Sequence, residues 1–269
     1  NVSFAFMCNG EKYVYRHPGG TAGNLIDRTS ELFAQTAAQK VGVDTSVIHM
    51  ELSGWKLSYY IKNAQNCNFE KSDVQLSIAM DYLHKLHSIR PDATVRTFDN
   101  VIEGKKLMMI ASATKGNLLK EFSELVGKVD KLYSFVKADA QRLGYGLVLC
   151  HNDTYEPNYL CNDCGEIYLI DWEYAGLNYA ANDIGCILCR YDWSDEQIER
   201  YLKAFVGRTL TEDEHRYYIA FIPISAFYWF CWGIYKGSVG DDDSFFFLPS
   251  YRNLVRFIDF ALESYGEKE

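Results

Sequence analysis

Hydrophobic and polar positions at the start of the chain fall into two short β-prone runs, Asn1–Cys8 and Lys12–Arg16. They are joined by Asn9-Gly10, a strong hairpin signal. The sequence His17-Pro18-Gly19-Gly20-Thr21 then breaks the pattern. Residues 25–40 carry apolar positions at helical spacing, with Asn24 as the expected N-cap. Val47–Glu51 and Trp55–Ile61 read as two further strands around Ser53-Gly54. Strand pair, helix, strand pair make a small α+β lobe. From Ser72 the period changes: a helix capped there presents Leu76, Ala79, Met80, Leu83 and Leu86 on one face. Two more helical segments are expected before Gly144, and short buried strands at Gly146–Cys150 and Ile167–Ile170 enclose a polar loop. Beyond Trp193 the chain is again mostly helical. The expected fold class is α+β, with a small β-rich lobe over residues 1–65 and a larger, mainly helical lobe over 66–269.

Composition narrows the partners. A formal charge of −9 argues against a nucleic-acid binder, which needs clustered Lys and Arg, and suits a site that attracts a small cation. Eight Cys in a long chain with no secretory signal point to free thiols and a cytoplasmic setting. The chain opens in a strand without an initiator Met, so a missing upstream segment is expected. Cys161-x-x-Cys164 and Cys186-x-x-Cys189 imitate a zinc site, but Cys186 and Cys189 lie in an apolar run and read better as core. The uncharged stretch Tyr217–Tyr235 is long enough for a membrane span, yet Pro223, Ser225 and its Tyr hydroxyls favour a buried helix and no membrane insertion.

The most informative segment is His151-Asn152-Asp153-Thr154-Tyr155-Glu156-Pro157-Asn158, followed by a strand ending Leu169-Ile170-Asp171. Phosphoryl transfer from ATP needs a carboxylate to orient the attacking hydroxyl and oxygen ligands to hold Mg²⁺ on the phosphates. In the kinase signature the catalytic Asp and a metal-binding Asn are five residues apart on one loop, and a second metal-binding Asp ends a nearby strand. Asp153, Asn158 and Asp171 have that arrangement.

The resemblance extends further. With Ile170-Asp171-Trp172-Glu173-Tyr174, Asn182-Asp183-Ile184-Gly185, Tyr13-Val14-Tyr15-Arg16 and Trp229-Phe230-Cys231-Trp232-Gly233, the chain resembles the choline/ethanolamine kinase family. That family sits within the aminoglycoside-phosphotransferase-like and protein-kinase-like superfamily. The resemblance implies a two-lobed kinase-like fold, with ATP and Mg²⁺ as cofactors. It makes Asp153 the catalytic base and Asn158 and Asp171 the metal ligands, and it places Arg16 by the ATP phosphates with Glu31 as its partner. The short stretch between Asp171 and Asp183 lacks the long segment with which a protein kinase receives a peptide, so the expected substrate is small.

Choline carries a trimethylammonium head, which ring faces and a nearby negative charge can hold. Trp229 and Trp232 would share a helix face as two walls of such a cage, with Tyr174 closing it. Glu173 would supply charge there or serve the metal. The same aromatic run also reads as core packing. The expected activity is phosphorylation of the hydroxyl of choline to phosphocholine. Ethanolamine, thiamine or an aminoglycoside are the other acceptors, and a nucleotide-binding pseudokinase is the non-enzymatic reading.

Overall fold

The computed structural model describes residues 2–19, 25–240 and 244–266. The expected cap Asn24 lies outside them. The chain forms two compact units, one from residues 1–98 and 148–180, the other from 99–147 and 181–269.

In the first unit, β1 (Val2–Cys8) and β2 (Glu11–His17) pair antiparallel in the register Cys8 to Glu11. Asn9 and Gly10 both take positive φ, 50° and 84°, the conformation that a tight turn between right-twisted strands demands. β4 (Lys56–Tyr59) joins the far side of β2 and β3 (Val47–Met50) joins β4, giving the order β1-β2-β4-β3. The helix α1 covers Arg28–Lys40 and so starts three residues later than its apolar spacing suggests. The reason is Asp27, whose carboxylate accepts from Thr29 N at 3.1 Å and from the Ser30 hydroxyl at 2.8 Å. That caps the helix at its true start. The buried face of α1 is unusual, since Ser30, Glu31 and Gln35 share it with Ala34 and Ala38. Polar groups on a buried stripe need partners, and these lead to the site described below.

The same unit continues with α2 (Asp73–His87), capped by Ser72 and burying the expected stripe from Leu76 to Leu86. The two-residue β5 (Gln65–Asn66) pairs with β7 (Tyr159–Cys161), which pairs in turn with β8 (Ile167–Leu169). The expected boundary at 65/66 therefore falls inside one sheet, because backbone hydrogen bonds tie residues 65–66 to residues about a hundred positions later. β6 (Leu147–Cys150) pairs with β9 (Gly176–Tyr179) beneath the loop that carries the candidate chemistry.

The second unit is helical. It comprises α3 (Asn100–Lys115), the single turn α4 (Leu118–Glu121), α5 (Ser123–Leu143), α6 (Ala180–Leu188), α7 (Asp195–Val206), α8 (Glu212–Ser238) and α9 (Ser244–Ser264). A capping box of Thr211 and Glu214 starts α8. From Tyr217 to Cys231 every side chain of α8 is buried, and α3, α5 and α9 pack around it. The helix is long and apolar enough to cross a bilayer, but it is the buried core of this unit. Close approach is built in: a Cβ on Gly185 of α6 would stand 2.8 Å from the Phe221 carbonyl and 2.7 Å from the Ser225 hydroxyl of α8. Cys186 and Cys189 are buried on and just beyond α6 as small core residues.

Candidate active site

Three local devices in the first unit bring the candidate residues to one place. The loop after β6 begins at His151, whose Nε2 meets the Ile170 carbonyl at 2.9 Å and whose Nδ1 accepts from the Asp153 N–H at 3.2 Å. Its ring lies edge-to-face on Trp172, centroids 4.6 Å apart. His151 therefore uses one nitrogen to fasten the loop to the residue after β8 and the other to brace Asp153 within the loop.

Asn152 is the second device, and its motif position alone gave no role for it. It takes φ of 66°, and its buried amide donates to the Tyr174 carbonyl at 3.0 Å and accepts from the Asn178 amide at 3.0 Å. A left-handed non-glycine residue costs free energy that such bonds must offset. The third device is Asn158, at the end of a 3₁₀ turn over Glu156–Asn158. Its Nδ2 donates to the Asp153 carbonyl at 2.7 Å and to the Asp153 carboxylate at 3.0 Å. With the amide nitrogen held there, the side-chain oxygen is the atom left to meet a cation. The Asn158 carbonyl accepts from Ile170 N at 2.9 Å, which sets Asp171 directly beyond it.

Asp171 takes φ of 67° and its carboxylate accepts from Arg16 Nη1 at 3.1 Å. Arg16 is buried, and its other terminal nitrogen donates to Glu31, which also pairs with Arg28. Arg16 and Glu31 thus do pair. Burial works to lower the Arg16 pKa, but the charge and hydrogen bond of Glu31, with Asp171 and Glu173 behind them, leave it raised. Glu173 is half-buried and lies close enough to add its charge to Arg16.

The residue that the sequence reading missed is Lys56. It stands opposite Arg16 in the β2–β4 register and donates to Gln35 at 3.3 Å, while Gln35 donates to Asp44 at 2.9 Å. Burial, then the neighbouring Arg16 charge, pull its ammonium below the ordinary lysine range. Strand alternation offered a signal, because Lys56 falls on the face of β4 that also carries Ser58, but nothing distinguished it from a solvent-facing lysine. Arg16, Lys56 and Asp171 line a cavity of about 450 Å³ whose apolar walls include Val14, Leu160 and Ile170. That is an ordinary size for a small-ligand site.

Tyr174 is buried with its ring edge-to-face on Phe98, centroids 6.3 Å apart. Trp229 and Trp232 belong to the second unit, on α8, with their rings 5.8 Å apart at 69°. Trp229 is 2% exposed and the Arg190 guanidinium carbon lies 3.7 Å from its ring centroid.

Comparison with known proteins adds four findings. The family model described as choline/ethanolamine kinase matches residues 8–219. Protein LicA of Haemophilus influenzae is 28% identical over 254 residues, covering 90% of this chain and 92% of that protein. Human ethanolamine kinase 2 is 27% identical over 181 residues, 59% of this chain and 46% of its own length. Among solved structures, the choline kinase LicA from Streptococcus pneumoniae superposes with a TM-score of 0.78 over 96% of this chain and 89% of its own, at 19% identity. At that identity the likeness speaks for the fold, which is kinase-like.

Proposed function

This chain belongs to the choline/ethanolamine kinase family and is a phosphotransferase acting on an alcohol, and from that premise we propose that it transfers the γ-phosphate of ATP to choline. The observation that carries the phosphotransfer reading is the joined pair Asp153–Asn158 with Asp171 next in the chain to Ile170, whose N–H Asn158 holds just past β8. The similarity to LicA over nearly the whole chain supports choline as the first acceptor to test. The partial match to human ethanolamine kinase 2 keeps ethanolamine as the second.

In this reading the adenine lies between Val14, Leu160 and Ile170, and the phosphates reach toward Arg16 and Lys56. Asp153 accepts the proton of the acceptor hydroxyl as its oxygen attacks the γ-phosphorus and ADP leaves. Asn158 fixes the carboxylate for that proton by donating to it. The donor set at Asn158 and Asp171, an amide oxygen and a half-exposed carboxylate, suits a hard divalent ion such as Mg²⁺. Those two residues would hold it, and it would neutralise charge on the phosphates. Arg16 bridges Glu31 and Asp171, keeping a cation beside the transferring group. Positioning and charge neutralisation supply the catalysis.

The test is a panel of choline, ethanolamine, thiamine and kanamycin offered with Mg-ATP to the purified protein, with ADP release as readout. Choline should give the highest kcat/KM. ADP release that ignores all four alcohols would overturn the acceptor assignment. Because ATP is the phosphate donor, a cytoplasmic setting belongs to the same proposal.

A further inference from the structure

The acceptor side carries a feature that neither the family match nor the cage picture explains. Arg190 follows α6 and is itself buried, 6% exposed. Its guanidinium carbon stands over the ring of Trp229, 3.7 Å from the centroid. Trp229 is otherwise enclosed, with Tyr228 and Trp232 edge-to-face against it at 5.0 Å and 5.8 Å. The second tryptophan is also attended by a cation, with Lys236 Nζ 5.5 Å from the Trp232 ring centroid.

A trimethylammonium head binds an aromatic ring by sitting over its face, within about 6 Å of the centroid. On Trp229 that volume is filled by a charge of the same sign. We propose that Arg190 is a specificity-determining residue: a resident cation on Trp229 that a quaternary ammonium must displace before it can use that ring. The inference rests on the reading that the α8 tryptophans serve the acceptor. Arg190 then weakens recognition of choline by competing for the ring and by repelling a second cation. Recognition in the resting enzyme falls to Trp232, which is only partly buried and whose attending ammonium, Lys236, stands farther off at 5.5 Å.

Three forms of the full chain decide the matter: wild type, Arg190→Gln and Arg190→Lys. KM for choline and for ATP would be measured by ADP release. Quenching of tryptophan fluorescence by tetramethylammonium, without ATP, reports binding of the onium group alone. Removing a desolvated cation from the ring should lower both the choline KM and the tetramethylammonium half-saturation point about tenfold in Arg190→Gln. The ATP KM should hold, and Arg190→Lys should show a smaller shift in the same direction. A choline KM and tetramethylammonium response equal to or weaker than wild type, with helical circular dichroism and ATP KM intact, would show that Arg190 is a structural pillar. If Arg190→Gln loses its fold, Arg190→Lys decides by the same two measurements. Tighter tetramethylammonium binding in a variant that turns over no choline would leave this inference standing while the choline assignment falls.

Discussion

The polar loop of the first unit and the aromatic helix of the second solve the problem of a buried functional group in opposite ways. Around Asp153 each device is a directional bond from one named atom to another. His151 holds Ile170, Asn152 holds Tyr174, and Asn158 holds Asp153 itself. Around Trp229 the enclosure comes from two rings set edge-to-face and from the Arg190 guanidinium over the indole. Directional bonds fix atoms to within a few tenths of an ångström and fail one at a time. Packing is shared among many contacts and resists through volume. Chemistry that must align a proton, an oxygen and phosphorus suits the first kind. The rounded onium group of the proposed acceptor would suit the second.

The largest expected effect tests the first kind. Asp153→Ala should lower kcat by about 10³-fold or more, with ATP affinity nearly unchanged, since a positioned general base contributes on the order of 10²–10⁴ in rate. Single-turnover phosphate transfer and nucleotide binding measured side by side would check it, and near-normal kcat would remove Asp153 as the base.

Next comes Glu31→Gln, which removes the charge that two arginines share in the interior. Stripping one partner from a buried ion pair costs about 3 kcal/mol or more. Urea denaturation should show that loss, together with a higher ATP KM as Arg16 loses its anchor. A packing counterpart in the second unit is Gly185→Ala. Its new methyl would meet a backbone carbonyl at 2.8 Å, so helix must move against helix at a cost of about 2–3 kcal/mol. Stability should fall while the ATP KM holds. If the ATP KM rose as much as in Glu31→Gln, the two units would not divide the labour as described.

The smallest effect has the opposite sign. Lys56 is buried with its pKa pulled down, so the folded protein carries its ammonium at a cost. That cost is full below the lowered folded pKa and fades as pH rises from there toward the unfolded value near 10.5. Lys56→Met should therefore raise stability at neutral pH by about 1 kcal/mol, and the gain should shrink in alkaline buffer. The same change should raise the ATP KM if the ammonium meets phosphate. A Lys56→Met protein with unchanged ATP KM would take Lys56 out of the nucleotide site.

Legibility in the sequence follows the same division. The spacing of Asp153, Asn158 and Asp171 could be read because the proposed phosphoryl transfer would need those residue types at those separations. The hairpin at Asn9-Gly10 and the stripe of α2 could be read because each depends on near neighbours. β5, β7 and β9 escaped, since none carries an uninterrupted apolar run of four residues such as Leu147–Cys150 or Ile167–Ile170, and each is defined by the strand it pairs with. α8 shows no amphipathic pattern because it is buried on all sides, which is why core, cage and membrane span looked alike from sequence. The contact of Arg190 with Trp229 joins residues 39 positions apart, beyond any local rule.

The bond from Asn158 to Asp153 has one more implication. An acid at position 158 would offer oxygen ligands just as well, but it would face Asp153 as a like charge at hydrogen-bond distance. Two carboxylates so placed retain one proton between them. The candidate base would then spend much of its time protonated and useless. A neutral carboxamide avoids the conflict: one end steadies the anion, and the other stays available to a cation.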